Sequence, residues 1–126
     1  MDRRQIEAAI AGLSALPTAG LYGKDFLLTW DKSEEELRAV LLVADILRAL
    51  RERDLSRRLF DSGLAVSIFR DKSTRTRFSF LSAANLLGLA AQDLDETKSQ
   101  ISHGETVRET ANMLSFLTEI IGIRDD

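Results

Sequence analysis

The sequence predicts an α/β domain in three layers, in which a parallel β-sheet lies between layers of helices. Two observations lead to this prediction. Short segments rich in β-forming residues alternate with longer segments of helical periodicity, in the order strand, helix, strand, helix, strand, and parallel strands need such crossover helices. The 126 residues are also 44% hydrophobic and 29% charged, which is typical of one globular domain with one core.

Two helices are predicted ahead of the sheet. Residues 1–14 carry apolar side chains at a period of 3.6 residues, namely Ile6, Ala9, Ile10 and Leu13. A second helix is expected to begin at Ser33, because Ser33 and Glu36 form an S-x-x-E capping box. The face of this helix that we expect to be buried consists of Leu37, Val40, Leu41, Ala44, Leu47 and Leu50.

Three strands are predicted for the sheet. Leu64–Phe69 is a short run of β-forming residues between Gly63 and Asp71, a pattern typical of a buried strand. Residues 89–94 and 119–123 are the second and third strands. Joined by right-handed crossovers, they predict a parallel, Rossmann-like sheet.

Two further helices connect these strands. The first is expected to be capped by Ser73 and to end at Gly88. Its apolar stripe is Phe80, Ala84 and Leu87. The second comes after a polar loop, and its predicted face consists of Val107, Thr110, Ala111, Leu114 and Leu117. Because a buried parallel strand normally leads into another helix, we expect residues 1–126 to be an incomplete domain of a larger protein.

The composition excludes several kinds of chemistry. The sequence has no cysteine and one histidine, which excludes disulfides, thiol catalysis and a Cys- or His-rich metal site and fits a cytoplasmic protein. No long apolar run predicts a membrane span. The formal net charge of −3 argues against general nucleic-acid binding.

The residues that point to a ligand come directly after the first predicted strand. Ligands of open α/β sheets gather at the carboxyl ends of the strands. Residues 73–77, which read S-T-R-T-R, open a helix there. The helix N-terminus offers unpaired N–H groups and a partial positive charge. Hydroxyls and a guanidinium add donors that suit a phosphate group. The alternative is a capped helix with solvated arginines.

Helix geometry divides the two arginines of this segment. Side chains two residues apart on a helix point to nearly opposite sides, so Arg75 and Arg77 are not expected to hold one phosphate together. We assign Arg75 to the ligand and Arg77 to a structural or inter-subunit role. The segment is a poor match to a Walker P-loop, because the glycines of that motif are absent.

A resemblance to a known family rests on this segment and on motifs nearer the C-terminus. Residues 69–80 read F-R-D-K-S-T-R-T-R-F-S-F, which resembles the S-T-R-T-R-x-S-F signature of aspartate and ornithine carbamoyltransferases. The order continues with Asp95-Glu96, His103-Gly104-Glu105-Thr106, Glu109-Thr110 and Arg124. The likeness runs from about Asp25 to Asp126. The branch of the family that the sequence most resembles is one whose second substrate is unsettled.

The resemblance implies that residues 1–126 are a carbamoyl-phosphate-binding domain and that the second, amino-substrate-binding domain lies outside this chain. It implies that carbamoyl phosphate binds to Ser73, Thr74, Arg75, Thr76 and Arg124. Of these, Arg75, Thr76 and Arg124 are the implied catalytic residues, and the Thr76 hydroxyl is expected to reach the carbamoyl oxygen. Arg124 also lies at the end of a strand beside the switch point of the sheet. The alternative for Arg124 is an exposed terminal arginine.

The implied reaction is direct attack of a substrate amine on the carbamoyl carbon, with release of phosphate. The protein is expected to contribute orientation and stabilisation of developing charge. The resemblance implies no metal, no organic cofactor and no side-chain nucleophile.

The polar loop after the second strand carries the implied contacts between subunits. In the family this loop reaches a neighbouring active site in a trimer, so Lys98, Gln100 and His103 are possible contributors in trans. The aspartate-type pattern has a lysine before Gly-Glu-Thr, whereas this sequence has His103 there and its nearest lysine is Lys98. This departure leaves open both the identity of the donor in trans and an aspartate substrate. The alternatives are a solvated Lys98 and a His103 at the helix start without ligand contact.

Three functions are compatible with these observations. The first is a carbamoyltransferase domain that acts on carbamoyl phosphate and an amine as part of a homotrimer. The second is a non-catalytic anion-binding or assembly module that uses the same helix terminus. The third is a nucleic-acid-binding protein, which the net charge and the lack of an aromatic stacking platform disfavour. We expect the isolated chain to be inactive, because it holds only part of an active site.

Overall fold

The computed structural model describes residues 1–18, 20–70, 73–95, 104 and 106–125. The chain contacts divide into two compact units, residues 1–56 and residues 57–126. In the part of the chain that is described, no helix combines the length and the apolar character needed to cross a membrane.

The first unit contains two helices, α1 (Arg3–Ser14) and α2 (Glu34–Glu52), and a short 3₁₀ turn (Thr29–Asp31). Each α-helix begins with a reciprocal capping box. Ser33 Oγ accepts a hydrogen bond from Glu36 N at 3.1 Å, which confirms the predicted start of α2. The corresponding bond in α1 joins Asp2 Oδ1 to Gln5 N at 2.8 Å.

The core of the first unit lies between α1 and α2. It consists of Ile6, Ile46 and Ala49, with Ala9, Leu13, Leu42 and Leu50 packed against it. The predicted buried face of α2 is therefore wrong in part: Val40 is 41% exposed and Leu41 is 66% exposed, while Ala39 is buried. Apolar residues lie around most of the circumference of α2, so several stripes fit the helical period, and contact with α1 selects one of them.

The second unit contains the sheet. Its elements are β1 (Leu64–Phe69), α3 (Thr74–Leu87), β2 (Ala90–Asp93), α4 (Val107–Leu117) and β3 (Ile120–Arg124). The described strands are all parallel, in the order β2-β1-β3, which confirms the predicted parallel sheet. Because the chain crosses from β1 to β2 on one side and then to β3 on the other, right-handed crossovers place α3 and α4 on opposite faces.

Side chains from α3 pack on the central strand. Ala65, Ala84 and Leu89 form the buried cluster, and Phe80 packs against it. The rings of Phe69 and Phe80 meet edge to face with centroids 5.7 Å apart. These contacts confirm Phe80 and Ala84 of the predicted apolar stripe of α3 and hold the helix against β1. The third predicted member, Leu87, is half-buried and is not part of this cluster.

The predicted face of α4 is wrong in part. Thr110 is buried and Leu114 is half-buried, whereas Val107, Ala111 and Leu117 are exposed. An apolar stripe is buried only where a neighbouring element covers it, and the described part of the second unit covers the stripe of α4 only around Thr110.

The order of the strands determines which residues meet at the carboxyl edge of the sheet. The connection that follows β1 runs to β2 on one side, and the connection that follows β2 runs back to β3 on the other side. The topological switch point of the sheet therefore lies between β1 and β3. In the register, Phe69 at the end of β1 pairs with Arg124 at the end of β3. The segment after β1 and the side chain of Arg124 are thus brought together.

Candidate functional site

Three side chains from two elements meet at this switch point. Arg124 Nη1 donates hydrogen bonds to Thr76 Oγ1 at 2.8 Å and to Ser73 Oγ at 3.2 Å. The two hydroxyl oxygens are themselves 2.8 Å apart. All three residues are half-buried. A guanidinium and two hydroxyls therefore converge on one point at the start of α3, an arrangement of donors that suits an oxyanion.

The first turn of α3 differs from those of the other described α-helices. Helices α1, α2 and α4 begin with capping boxes. Ser73 occupies the N-cap position of α3, as predicted, but its side chain makes no capping hydrogen bond. Its hydroxyl is instead hydrogen-bonded with Thr76 and Arg124. The positive end of α3 is thus not capped by the Ser73 side chain, and it lies beside the guanidinium of Arg124.

Thr74 and Arg75 lie on the exposed side of the same turn. Among the residues that the structure describes, the Arg75 side chain takes part in no hydrogen bond or ion pair, although its backbone oxygen accepts a bond of 2.7 Å from Ser79 Oγ. An exposed guanidinium on the second residue of a helix is able to turn towards an anion held at the helix N-terminus.

Arg77 makes different contacts from Arg75. Its Nη2 donates to the backbone oxygen of Phe69 at 2.8 Å, and its Nε lies 3.3 Å from Asp93 Oδ1 in an ion pair. Asp93 Oδ1 also accepts a hydrogen bond of 2.6 Å from Ser67 Oγ. Sequence reasoning separated Arg77 from Arg75 but missed both partners. Two features of the sequence could have indicated this network: Ser67 is a polar residue within an apolar strand, and Asp93 is an acidic residue at the end of a strand.

The end of β3 is fixed by two contacts from Arg70. Arg70 N donates to the backbone oxygen of Arg124 at 3.1 Å, and Arg70 Nη1 donates to Asp125 Oδ2 at 2.8 Å. The ion pair is exposed and adds little stability. The backbone bond extends the β1–β3 ladder past Phe69 and helps to keep Arg124 within hydrogen-bonding distance of Ser73.

Some of the predicted site residues are not described. Lys98, Gln100 and His103, the possible contributors in trans, lie outside the described residues. In the described ranges, no group of three or more His, Cys, Asp or Glu side chains is arranged to hold a metal ion.

The comparison with protein families identifies the domain. Residues 24–126 match the family model described as aspartate/ornithine carbamoyltransferase, carbamoyl-P binding domain. YgeW of Escherichia coli strain K12, which is named as a carbamoyltransferase, is 65% identical over 109 residues, which are 86% of this chain and 28% of that protein. Ornithine carbamoyltransferase of Bacillus subtilis strain 168 is 38% identical over 104 residues, or 82% of this chain and 31% of that enzyme.

Solved structures have the same fold. Aspartate transcarbamoylase from Trypanosoma cruzi, in complex with carbamoyl phosphate, superposes with a TM-score of 0.77 over 86% of this chain and 34% of that one, at 24% identity. The catalytic subunit of M. jannaschii aspartate transcarbamoylase gives a TM-score of 0.69 at 27% identity, over 80% of this chain and 33% of that one.

The chain spans less than a third of the length of YgeW and of the Bacillus enzyme, so it corresponds to part of such a protein. The family model covers the whole sheet, the S-T-R-T-R segment and Arg124. The chain belongs to the aspartate/ornithine carbamoyltransferase family, and it carries that family's carbamoyl-phosphate-binding domain in part.

Proposed function

We propose that this chain binds carbamoyl phosphate at Ser73, Thr74, Arg75, Thr76 and Arg124, and that the protein containing it transfers the carbamoyl group to an amine. The observation that carries the proposal is the pair of hydrogen bonds from Arg124 to Thr76 and Ser73, at the N-terminus of a helix that the Ser73 side chain does not cap. Membership of the carbamoyltransferase family supports it.

The phosphate group fits the N-terminus of α3. Its charge is stabilised by the backbone N–H groups and by the partial positive charge of the helix end, which is about half a unit. The guanidinium of Arg75 holds two phosphate oxygens through parallel hydrogen bonds. The hydroxyls of Ser73 and Thr74 donate to the remaining oxygens.

The carbamoyl group is then held beside Thr76 and Arg124. The amine nitrogen forms the new C–N bond, and the carbonyl oxygen gains negative charge in the tetrahedral intermediate. The Thr76 hydroxyl and Arg124, joined at 2.8 Å, stabilise that charge as preorganised donors. The C–O bond to phosphate breaks with its electron pair, and the proton lost by nitrogen passes to phosphate or water. Fixing both reactants in place supplies the rest of the rate enhancement.

The amine site, the oligomeric state and the compartment are part of the same proposal. The support for a homotrimer, with Lys98, Gln100 or His103 acting in trans, is the family resemblance. The absence of cysteine from the sequence supports a cytoplasmic location. The relatives are about three times longer than this chain, and we expect the longer protein to supply the amine-binding residues. The 126-residue chain alone is therefore expected to bind carbamoyl phosphate weakly and not to catalyse transfer.

The test is a calorimetric titration of the intact natural protein with carbamoyl phosphate. Arg75→Ala is expected to abolish the binding. Arg4→Ala is the matched control, since Arg4 is the second residue of α1, as Arg75 is of α3, and both are exposed. Equal binding by the wild type and Arg75→Ala would refute the assignment. Binding without transfer to any amine in a broad screen would favour the non-catalytic anion-binding module.

A further inference from the structure

A network of three side chains connects the ends of β1 and β2 with the first turn of α3. Arg77 Nη2 donates to the backbone oxygen of Phe69 at 2.8 Å. Its Nε pairs with Asp93 Oδ1 at 3.3 Å, and the same carboxylate oxygen accepts a hydrogen bond of 2.6 Å from Ser67. Ser67 and Asp93 are direct neighbours in the register of the sheet.

The burial of these groups makes the network more rigid than a surface ion pair. Ser67 is 0% exposed, so the hydrogen bond from its hydroxyl to the carboxylate of Asp93 has a fully buried donor. The side chains of Arg77 and Asp93 are 32% and 30% exposed, and partly buried charges are screened less by salt than exposed ones. The planar guanidinium contacts both strands at once, which the single point charge of a lysine cannot reproduce.

The network acts on the same turn that holds the proposed phosphate donors. Arg77 is adjacent to Thr76 in sequence, and Arg77 N donates to the backbone oxygen of Ser73 at 3.2 Å. The side chain of Arg77 is anchored to the strand ends, while its backbone is hydrogen-bonded to the N-cap residue. A shift of Arg77 therefore shifts Ser73 and Thr76 with it.

We infer that Arg77, Asp93 and Ser67 are positioning residues that fix the first turn of α3 in the pose required for binding carbamoyl phosphate. This inference rests on the proposed function of the same site. None of the three needs to contact the ligand. They act by fixing where the hydroxyls of Ser73 and Thr76 lie relative to Arg124.

Simple electrostatics and positioning predict opposite effects when Asp93 is neutralised. Asp93→Asn removes a negative charge near a site for an anion, so Coulomb attraction alone would tighten the binding of carbamoyl phosphate. If Asp93 acts by positioning, the loss of its ion pair releases Arg77 and weakens binding. In catalysis, misplacing a group by about 1 Å costs up to about 100-fold in rate. We expect the affinity for carbamoyl phosphate to fall by about tenfold.

The experiment measures the dissociation constant of carbamoyl phosphate by calorimetry on the intact natural protein. Asp93→Asn is expected to raise it about tenfold, and Ser67→Ala about threefold, since one hydrogen bond is lost. The double variant with Asp93→Asn and Arg77→Gln is expected to bind carbamoyl phosphate no more weakly than the single variant of lower affinity. The reason is that both substitutions break the same ion pair. Unchanged or tighter binding by Asp93→Asn, or additive losses in the double variant, would overturn the inference.

Two controls separate the possible failures. Ile46→Val removes one methylene from the core of the first unit, which includes neither the sheet nor α3, and lowers stability. It should bind carbamoyl phosphate as the wild type does, and weakening equal to that of Asp93→Asn would overturn the inference.

If the wild type does not bind, or Arg75→Ala binds equally well, the proposed function and the positioning role fail together. If Arg75→Ala loses binding while Asp93→Asn keeps it, positioning alone fails. If Asp93→Asn does not fold, Ser67→Ala becomes the test. Binding of carbamoyl phosphate by Ser67→Ala with the affinity of the wild type would then overturn the positioning role.

Discussion

Arg124 Nη1 and Thr76 Oγ1 form a hydrogen bond of 2.8 Å although the two residues are 48 positions apart in the sequence. One residue ends β3 and the other lies in the first turn of α3. The bond exists because β3 pairs with β1 in parallel register, with Phe69 opposite Arg124. Sheet pairing therefore brings together the donors of the proposed site, and substitutions at these donors should change ligand binding more than stability.

Arg124→Lys is expected to weaken carbamoyl phosphate binding by about 2 kcal/mol, or about thirtyfold. Lysine keeps the charge but cannot donate to Ser73 and Thr76 in the same planar geometry. Calorimetric titration of the intact protein measures the change. The control is Arg48→Lys, because Arg48 lies in α2 and forms an exposed ion pair with Asp45. A dissociation constant within twofold of the wild type would contradict the role of Arg124.

Ser33→Ala and Ser73→Ala are expected to have crossed effects. Ser33 caps α2 through Glu36 N, so its loss should lower the free energy of unfolding by about 1 kcal/mol. The Ser73 side chain makes no capping bond, and Thr76 and Arg124 remain hydrogen-bonded to each other without it. Its loss should therefore cost less stability than the loss of Ser33 but weaken carbamoyl phosphate binding. Denaturant unfolding and calorimetry on the same two variants give both quantities. If Ser73→Ala costs as much stability as Ser33→Ala and leaves binding intact, Ser73 is an ordinary cap.

Thr76→Val is expected to reduce the rate of carbamoyl transfer by about 100-fold, since it removes one donor to the developing oxyanion. The change keeps the shape of the side chain. It is measured as phosphate release from carbamoyl phosphate, with an amine that the wild-type protein accepts. Thr76→Ser, which retains the hydroxyl, is the control and should keep most of the rate. Equal rates for the two variants would exclude a catalytic role for the Thr76 hydroxyl.

Gly122→Ala is expected to destabilise the second unit by about 1–3 kcal/mol. A Cβ at Gly122 in β3 would lie 2.6 Å from Cε2 of Phe80, so the ring or the strand must move. The free energy of unfolding measures the effect. Gly12→Ala in α1 is the control, because nothing lies within 4 Å of the added atom and alanine favours a helix. Phe80→Leu in the Gly122→Ala background should restore part of the loss, and failure to do so would count against this contact.

The 126-residue chain on its own is expected to self-associate. Within the described sheet, β3 is an edge strand, and its Ile123 is 70% exposed. An exposed apolar edge favours pairing with another copy. Sedimentation velocity should show larger species that Ile123→Lys suppresses, whereas Ile10→Lys on the exposed side of α1 should not. A monomeric wild-type chain at high concentration would contradict this prediction.

Local signals predicted several elements accurately. The bounds of β1, Leu64–Phe69, are those predicted, and α3 begins at Thr74 directly after Ser73. The capping box at Ser33 and the stop at Gly88 were also predicted correctly. These features depend on residues a few positions apart, whose hydrogen bonds and backbone preferences are set locally.

Long-range contacts could not be predicted in the same way. The buried face of α2 was wrong in part because contact with α1 selects among several apolar stripes. The ion pair of Arg77 with Asp93 joins residues from different elements, and no periodicity reports it. Ser73 was predicted to cap α3, but its hydroxyl is hydrogen-bonded with Thr76 and Arg124, because sheet pairing brings Arg124 close.

The sequence by itself determined the order of helices and strands, the family, and the helix start that offers donors to an anion. Only the tertiary structure decided that Arg124 meets Thr76 and that Asp93 holds Arg77. The physical reason is that helix starts and strand segments depend on neighbouring residues. The approach of Arg124 to Thr76, 48 positions apart, and of Asp93 to Arg77, 93 − 77 = 16 positions apart, depends on parallel strand pairing, which the pattern of one segment does not specify.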